Sequence, residues 1–253
     1  GQVPMLDMPK MAAEEFGIEA IELVSGMLPE TSGAYFSQLD KNAAAHNVEI
    51  LLIMIDGQGA IGARRDRARE TAVERHSQWI DYAADLGCHC VRMNWSGATP
   101  RVLEDEAELD EFIARSVPGF HALCDHAGEK GLSVTIENHG GPSSYPEPMQ
   151  KLMAAVEREN FGTLPDFGNF PSEVDKYNAI DKLMPYAKAV SAKCYDFDET
   201  TGLETRIDFP RMMEIVCGKH NYDGWVGIEY EGRRMGEVAG IQAAKDLLAR
   251  MQA

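Results

Sequence analysis

A regular alternation of short apolar runs with longer amphipathic segments constrains this chain more than any other feature. Strands that alternate with helices of this length pair in parallel through right-handed crossovers, so the pattern predicts an α/β domain. The seven strand-like runs are AIELVSGM (20–27), EILLIMID (49–56), CVRMNWSG (90–97), SVTIENHG (133–140), FGTLPDFGN (161–169), AVSAKCYDF (189–197) and WVGIEYEG (225–232).

Helical periodicity occupies most of the sequence between these runs. Gly17, Gly87 and Gly131 stand just before strand-like runs, where glycine is expected to end the preceding helix. The predicted helices cover residues 6–17, 68–87, 110–131, 146–160, 179–187, 208–220 and 237–252.

The fold that this order predicts is a (β/α)8 TIM barrel, formed by residues 1–253 as one domain. A closed barrel of this class has eight strands, and the segment 6–17 reads as a helix with no strand before it. We therefore expect that strand one lies upstream, or that the barrel closes in another way. A doubly wound open sheet is the alternative, but no GxGxxG turn follows the first visible strand to support it.

Charge and composition limit the classes of partner. A formal charge of −17 would repel a phosphate backbone, which argues against nucleic acid and favours divalent cations. No apolar stretch is long enough to span a membrane. The five cysteines include no CxxC pair, so we interpret them as mostly buried thiols of a cytoplasmic protein.

Three predicted strands lead directly into a carboxylate: Glu137, Asp166 and Glu229. In such a barrel the active site forms at the carboxyl ends of the strands, so these side chains should converge. Like charges brought together must be neutralised by protons, by basic side chains or by a metal ion, and a divalent cation is the simplest explanation. A single carboxylate at a strand end would more often be a helix cap or a loop ion pair.

Other polar residues at strand ends are candidates for binding a substrate. Arg92 and Asn94 share one face of a strand, although Arg92 could equally form an internal salt bridge. Lys193, on the same face as Ser191, could bind a substrate oxygen, balance the carboxylates or lie solvated at the rim. Among the histidines, only His139 has a catalytic position, two residues after Glu137.

Several weaker signals surround these candidates. Asp56 and Glu22 could also line the site, and the glycine-rich segment 56–65 is interpreted as a mobile loop over its mouth. His76 lies at helical spacing and is expected to pack rather than to bind a metal. Exposed aromatic side chains could stack on a sugar or contact a second subunit of a homo-oligomer, namely Tyr35, Phe36 and Trp95.

The pattern resembles the xylose isomerase-like TIM barrels, a family of sugar isomerases, sugar epimerases and hydroxypyruvate isomerase-type enzymes. The resemblance covers nearly the whole chain and is carried by FGIEAIELVS, LGCHCVRMNWSG, SVTIENHGG, LPDFGNF, SAKCYDF and GWVGIEYEG. It implies a divalent metal held by Glu137, Asp166 and Glu229. At the third ligand position this chain differs from the family, because Ser191 stands where many members have histidine. Water, substrate or His139 would complete the site.

The resemblance also implies a reaction. A sugar isomerase or epimerase of this family abstracts a proton next to a carbonyl and passes through a metal-stabilised enediolate. Glu137 and Glu229 would be the catalytic acid and base, and Arg92, Asn94, His139 and Lys193 would bind the small sugar or polyol. Oxygen ligands favour Mn²⁺, with Mg²⁺, Co²⁺ and Zn²⁺ as alternatives.

Three other functions stay open on the same scaffold. The first is a lyase or hydrolase that acts on keto-sugars or glycosides, and the second is an inactive sugar-binding barrel. The third is a DNA-repair nuclease of the endonuclease IV group, which would need a basic groove and more histidine ligands. The charge of −17 and the single well-placed histidine oppose the nuclease.

Overall fold

The computed structural model describes residues 3–252, and the chain divides into two compact units. Unit 1 comprises the chain up to Ile136 together with Lys151–Gly162. Unit 2 comprises Glu137–Gln150 together with the chain from Thr163 onward. No helix in the described part of the chain is long and apolar enough to cross a membrane.

Unit 1 is built on parallel strands that pair in the order of the chain, which confirms the predicted α/β pattern. Each observed strand ends between one and five residues earlier than predicted. The strands are β1 (Ala20–Val24), β2 (Glu49–Ile55), β3 (Cys90–Met93), β4 (Ser133–Glu137, whose last residue belongs to unit 2) and β5 (Phe161–Leu164, shared between the units).

Eight α-helices accompany the strands of the two units within the described residues. Their bounds are α1 (Met8–Met11), α2 (Gly33–Ala45), α3 (Asp66–Asp85), α4 (Glu106–Gly128), α5 (Pro146–Val156), α6 (Lys176–Leu183), α7 (Phe209–Met213) and α8 (Glu237–Gln252). Helix α1 continues as a π-helix over Ala12–Phe16, and α7 continues as one over Glu214–Lys219. The helix expected over 6–17 is therefore present in three short pieces, the first of them the 3-10 turn Met5–Asp7.

Helix α2 was missed by the sequence analysis. Ser32 caps it by accepting a hydrogen bond from the backbone N–H of Tyr35 at 3.2 Å. Its buried residues, Phe36, Leu39 and Ala43, recur at helical spacing, but small and polar residues around them weaken the apolar signal.

The predicted glycine caps are confirmed. Gly17 has φ of 59°, Gly87 of 72° and Gly131 of 75°, so each occupies the left-handed region that favours glycine. Each glycine therefore reverses the chain at the end of a helix and directs it towards the next strand.

Two sequence expectations about exposure in unit 1 were wrong. Phe36 and Trp95 are buried, because Phe36 lies on the inner face of α2 and Trp95 stacks on Phe112 with ring centroids 4.6 Å apart. In the glycine-rich segment 56–65, Ile61 is fully buried and the backbone N–H of Gly62 donates to the carbonyl of Ser96; the mobility of this segment stays a prediction. His76 packs in the core, as predicted.

Unit 2 contains the parallel pair β6 (Val190–Cys194) and β7 (Val226–Tyr230). Isolated parallel bridges connect Thr163 with Ala187 and Asp166 with Ser191, so the end of β5 lies beside β6. One face of β6, formed by Val190, Ala192 and Cys194, packs into the apolar core of this unit. The opposite face carries Ser191 and Lys193, which are free to form a polar site because side chains alternate along a strand.

Candidate active site

Three carboxylates meet in unit 2, at the ends of β4, β5 and β7. One oxygen from each of Glu137, Asp166 and Glu229 lies within 4.8 Å of the others. Glu137 is 1% exposed and Asp166 is fully buried, whereas the Glu229 side chain is 33% exposed. The structure therefore brings together the three residues that the sequence analysis selected as metal ligands, with Glu229 on the open side.

Asp166 is held in place through its backbone and one carboxylate oxygen. The Asn138 side chain accepts from the backbone N–H of Asp166 at 2.7 Å and donates to its carbonyl at 2.9 Å. Oδ1 of Asp166 accepts from the backbone N–H groups of Gly168 and Asn169, both at 2.8 Å. These contacts leave Oδ2 to accept from the Ser191 hydroxyl.

Ser191 lies between two of the carboxylates. Its hydroxyl oxygen is 2.8 Å from Oδ2 of Asp166 and 3.0 Å from Oε2 of Glu229. A serine has a single hydroxyl proton, so it cannot donate to both oxygens at once. Ser191 stands where the family resemblance expected a histidine ligand. Its single neutral hydroxyl cannot offset the negative charge of the cluster.

Lys193 supplies the positive charge at the centre of the site. Its ammonium lies 3.1 Å from Oε1 of Glu229, its register partner on β7, and 3.3 Å from Oε1 of Glu231. A third contact, at 3.0 Å, goes to Oδ1 of Asn169. The contacts with the two glutamates are ion pairs, and the contact with Asn169 is a hydrogen bond. Lys193 is 1% exposed and is therefore a buried counter-charge rather than a solvated lysine at the rim.

The pKa values of Asp166 and Lys193 are both raised, for different reasons. Burial raises the pKa of Asp166 well above its usual value; Lys193 opposes this rise, and the charges of Glu137 and Glu229 add to it. Burial alone would lower the pKa of Lys193, but Asp166 and Glu229 outweigh it and the pKa lies above its ordinary value. The lysine therefore stays charged, whereas Asp166 takes up a proton more readily than an exposed aspartate would.

Asn169 is a member of the site that the sequence analysis did not select. Its Nδ2 donates to Oε1 of Glu137 at 2.8 Å, and its Oδ1 accepts from Lys193. The amide therefore connects the buried glutamate to the buried lysine. The signal available in the sequence was its position, three residues after Asp166 in the loop that follows β5.

Two further candidates, Arg92 and Asn94, lie in unit 1. Nη1 of Arg92 and Nδ2 of Asn94 both donate to Oδ1 of Asp56 at 2.7 Å. Arg92 is 4% exposed, and the internal salt bridge that the sequence left open is formed. Asp56, 39% exposed on its side chain, is thereby oriented at the end of β2.

His139 does not follow the strand alternation that placed it beside Glu137. Strand β4 ends at Glu137, and the backbone N–H of His139 donates to the Ser143 hydroxyl in the loop that follows. The His139 side chain is exposed. Among the described residues, it is not part of the group whose ligand atoms lie within 4.8 Å of one another.

The donor set fits a divalent cation. All three clustered ligands are carboxylate oxygens, which hard cations such as Mg²⁺ and Mn²⁺ prefer. The Lys193 ammonium offsets one of these negative charges, whereas the donors Ser191 and Asn169 are neutral and offset none. Buried charge without compensation is costly, so a cation held by Glu137, Asp166 and Glu229 would relieve the excess.

Solved structures with the same fold include several sugar epimerases. 3-Keto-D-glucoside 4-epimerase from E. coli is 17% identical, with a TM-score of 0.75 over 99% of this chain and 95% of the other. A D-psicose 3-epimerase is 16% identical, with a TM-score of 0.78 over 99% and 93%. A xylose isomerase-like TIM barrel protein from Mycobacterium smegmatis, in complex with magnesium, is 19% identical, with a TM-score of 0.69 over 100% and 91%.

No curated protein sequence matches this chain. The family model described as xylose isomerase-like TIM barrel, however, matches residues 11–252, almost the whole length. Its match agrees with the parallel strands of both units and with the solved structures above. The chain therefore belongs to the xylose isomerase-like TIM barrel family.

Proposed function

We propose that this protein is a divalent-metal-dependent sugar isomerase or epimerase that abstracts a proton next to a carbonyl. The observation that carries the proposal is the convergence of Glu137, Asp166 and Glu229 within 4.8 Å beside a buried lysine. The sugar epimerases among the solved structures with this fold support the choice of substrate class. The magnesium complex of a family member supports a divalent ion.

The exposure of each carboxylate would determine its role in binding or catalysis. Glu229, the more exposed carboxylate, would contact the substrate and transfer the proton, and Lys193 would hold one of the Glu229 carboxylate oxygens in place. Glu137 would act as the opposite acid or base, oriented by Asn169. Asp166, fully buried, would serve as a ligand. A bound divalent ion would supply a Lewis acid that polarises the substrate carbonyl.

Removal of the metal is expected to abolish turnover. Exhaustive chelation would leave the buried carboxylates without a cation, and readdition of Mn²⁺ or Mg²⁺ should restore activity because oxygen ligands accept both ions. The measurement is turnover before chelation, after it and after readdition, with the metal content of each sample determined by elemental analysis. Full activity in a verified metal-free sample would refute the proposal.

The assay panel should contain free ketoses together with 3-keto-glycosides. Interconversion of ketoses at constant mass identifies an epimerase or isomerase. Loss of water or cleavage of the glycosidic bond would identify the lyase or hydrolase alternative. Stoichiometric metal binding with no conversion of any member would identify a binding protein.

Metal affinity is expected to fall as the pH falls. Burial raises the pKa of Asp166 in the metal-free protein, so below that pKa the entering cation must displace a proton. The apparent Kd should rise by up to tenfold per pH unit for each proton displaced, and it should be flat above the raised pKa. Calorimetric titration with Mn²⁺ in two buffers of different ionisation enthalpy counts the released protons. Affinity independent of pH between about pH 5 and pH 8 would contradict the expectation.

A further inference from the structure

We propose that Tyr195 is a substrate-binding residue whose hydroxyl donates a hydrogen bond to an uncharged oxygen of the bound sugar. The inference rests on the proposed function and deepens it. It assigns to Tyr195 the donor role that the sequence analysis gave to Lys193.

Lys193 already contacts three groups of the site. Its ammonium forms ion pairs with Glu229 and Glu231, at 3.1 and 3.3 Å, and donates to Asn169 at 3.0 Å. A donor from another side chain would bind a sugar oxygen without disturbing these contacts.

Tyr195 is the first residue after β6, which ends at Cys194. Its hydroxyl lies against the loop that carries Asp166. A Cβ atom added to Gly168 would be only 2.8 Å from this hydroxyl and 2.9 Å from Cδ of Lys193. The phenol hydroxyl and the Lys193 stem therefore both lie against Gly168, where the glycine leaves room for them.

The Tyr195 ring is held without using its hydroxyl. The Arg206 guanidinium lies 4.7 Å from the ring centroid and forms an ion pair with Asp196 at 3.0 Å. Glu204 accepts from the backbone N–H groups of both Tyr195 and Arg206, at 3.1 and 2.6 Å. The loop therefore fixes the direction in which the phenol points.

The hydroxyl itself has no hydrogen-bond partner within residues 3–252, and the side chain is half-buried. A half-buried phenol usually finds a partner, and phenylalanine would pack equally well here. The hydroxyl is protonated at neutral pH and carries no charge, so it suits a sugar hydroxyl or carbonyl oxygen.

Tyr195→Phe tests the assignment, with Tyr177→Phe as the matched control. Arg211 lies over the Tyr177 ring at 4.0 Å, but the Tyr177 hydroxyl accepts a structural hydrogen bond from the backbone N–H of Asp208 at 2.9 Å. For the best ketose of the panel, Tyr195→Phe should raise KM by about 3- to 10-fold, the worth of one hydrogen bond. Its kcat, its Mn²⁺ affinity and its Tm should stay close to those of the wild type.

Tyr177→Phe should do the reverse, lowering Tm and leaving KM unchanged. An unchanged KM in Tyr195→Phe would overturn the inference while the proposed function stands. A raised KM that comes with weakened Mn²⁺ binding would also overturn it, because the variant would then have damaged the metal site. A wild type that converts no sugar of the panel would refute the proposed function, and this inference with it.

Discussion

Glu229→Gln is expected to lower kcat by about three orders of magnitude, because general acid–base catalysis contributes roughly 10²- to 10⁴-fold. The amide has nearly the same shape, but it can neither take up a proton nor bind a cation as a carboxylate does. Strand β7 and its pairing with β6 should be unaffected, since Glu229 is 33% exposed on its side chain. Steady-state kinetics and circular dichroism on the same preparation measure the two effects. Activity within tenfold of the wild type would exclude Glu229 from proton transfer.

Glu231→Gln is the matched control for that variant. Glu231 also lies against Lys193, at 3.3 Å, but it is 51% exposed on its side chain and is not a member of the three-carboxylate cluster. We expect a loss of less than about tenfold, since exposed ion pairs contribute little. An equal loss in both variants would indicate that the charge balance around Lys193, rather than proton transfer at Glu229, limits the reaction.

Asp166→Asn is expected to abolish metal binding and, at the same time, to stabilise the metal-free protein. Loss of one outer partner of a metal ligand typically costs 10- to 100-fold in affinity, so loss of a ligand should cost at least about 100-fold. Asparagine can still accept from the backbone N–H groups of Gly168 and Asn169, which keeps the loop in place. It removes a buried charge from the cluster, and the gain should be about 1–3 kcal/mol near neutral pH.

The size of this stabilisation depends on pH. The folded protein raises the pKa of Asp166 above its unfolded value, so ionisation of this group costs stability as the pH rises through that interval. The stabilisation of Asp166→Asn should therefore be absent near about pH 3 and grow towards neutral pH. Urea unfolding of chelated wild type and variant at several pH values measures it. A variant less stable than the wild type at neutral pH would show that the charge of Asp166 does not destabilise the metal-free protein.

Glu204→Gln should behave in the opposite way. Glu204 is another buried carboxylate of unit 2, but it accepts from the backbone N–H groups of Tyr195, Asp196, Arg206 and Ile207. A glutamine amide nitrogen cannot accept from a backbone N–H, so this variant should lose stability. The two variants therefore distinguish a carboxylate that is stabilised by hydrogen-bond donors, Glu204, from one that is destabilised by neighbouring carboxylates, Asp166.

The strands and most helices were predictable because periodicity records which face of each element is buried. Helix α2 was missed because Phe36, Leu39 and Ala43 are too few to show a stripe among small and polar residues. The convergence of Glu137, Asp166 and Glu229 was also predictable, since parallel strands bring their carboxyl ends to one edge. Their roles in binding and proton transfer stay predictions for the variants above.

The sequence could not predict which side chains from different strands and loops contact one another. Arg92 could be assigned to a substrate or to a salt bridge with equal justification; the structure shows its 2.7 Å contact with Asp56, and substrate binding by Arg92 stays a prediction. His139 was placed beside Glu137 by alternation, but alternation ends where β4 ends. Trp95 looked exposed because its neighbours are polar, whereas its Nε1 donates to the buried hydroxyl of Ser116 at 2.9 Å.

The sequence by itself determined the α/β order, the glycine caps and the strand ends at which carboxylates gather, because each of these follows from local spacing. Only the tertiary structure decided that the Lys193 ammonium lies between Glu229, Glu231 and Asn169. It alone showed that one Ser191 hydroxyl faces two carboxylates. These contacts depend on distances between side chains far apart in the chain, and no periodicity encodes those distances.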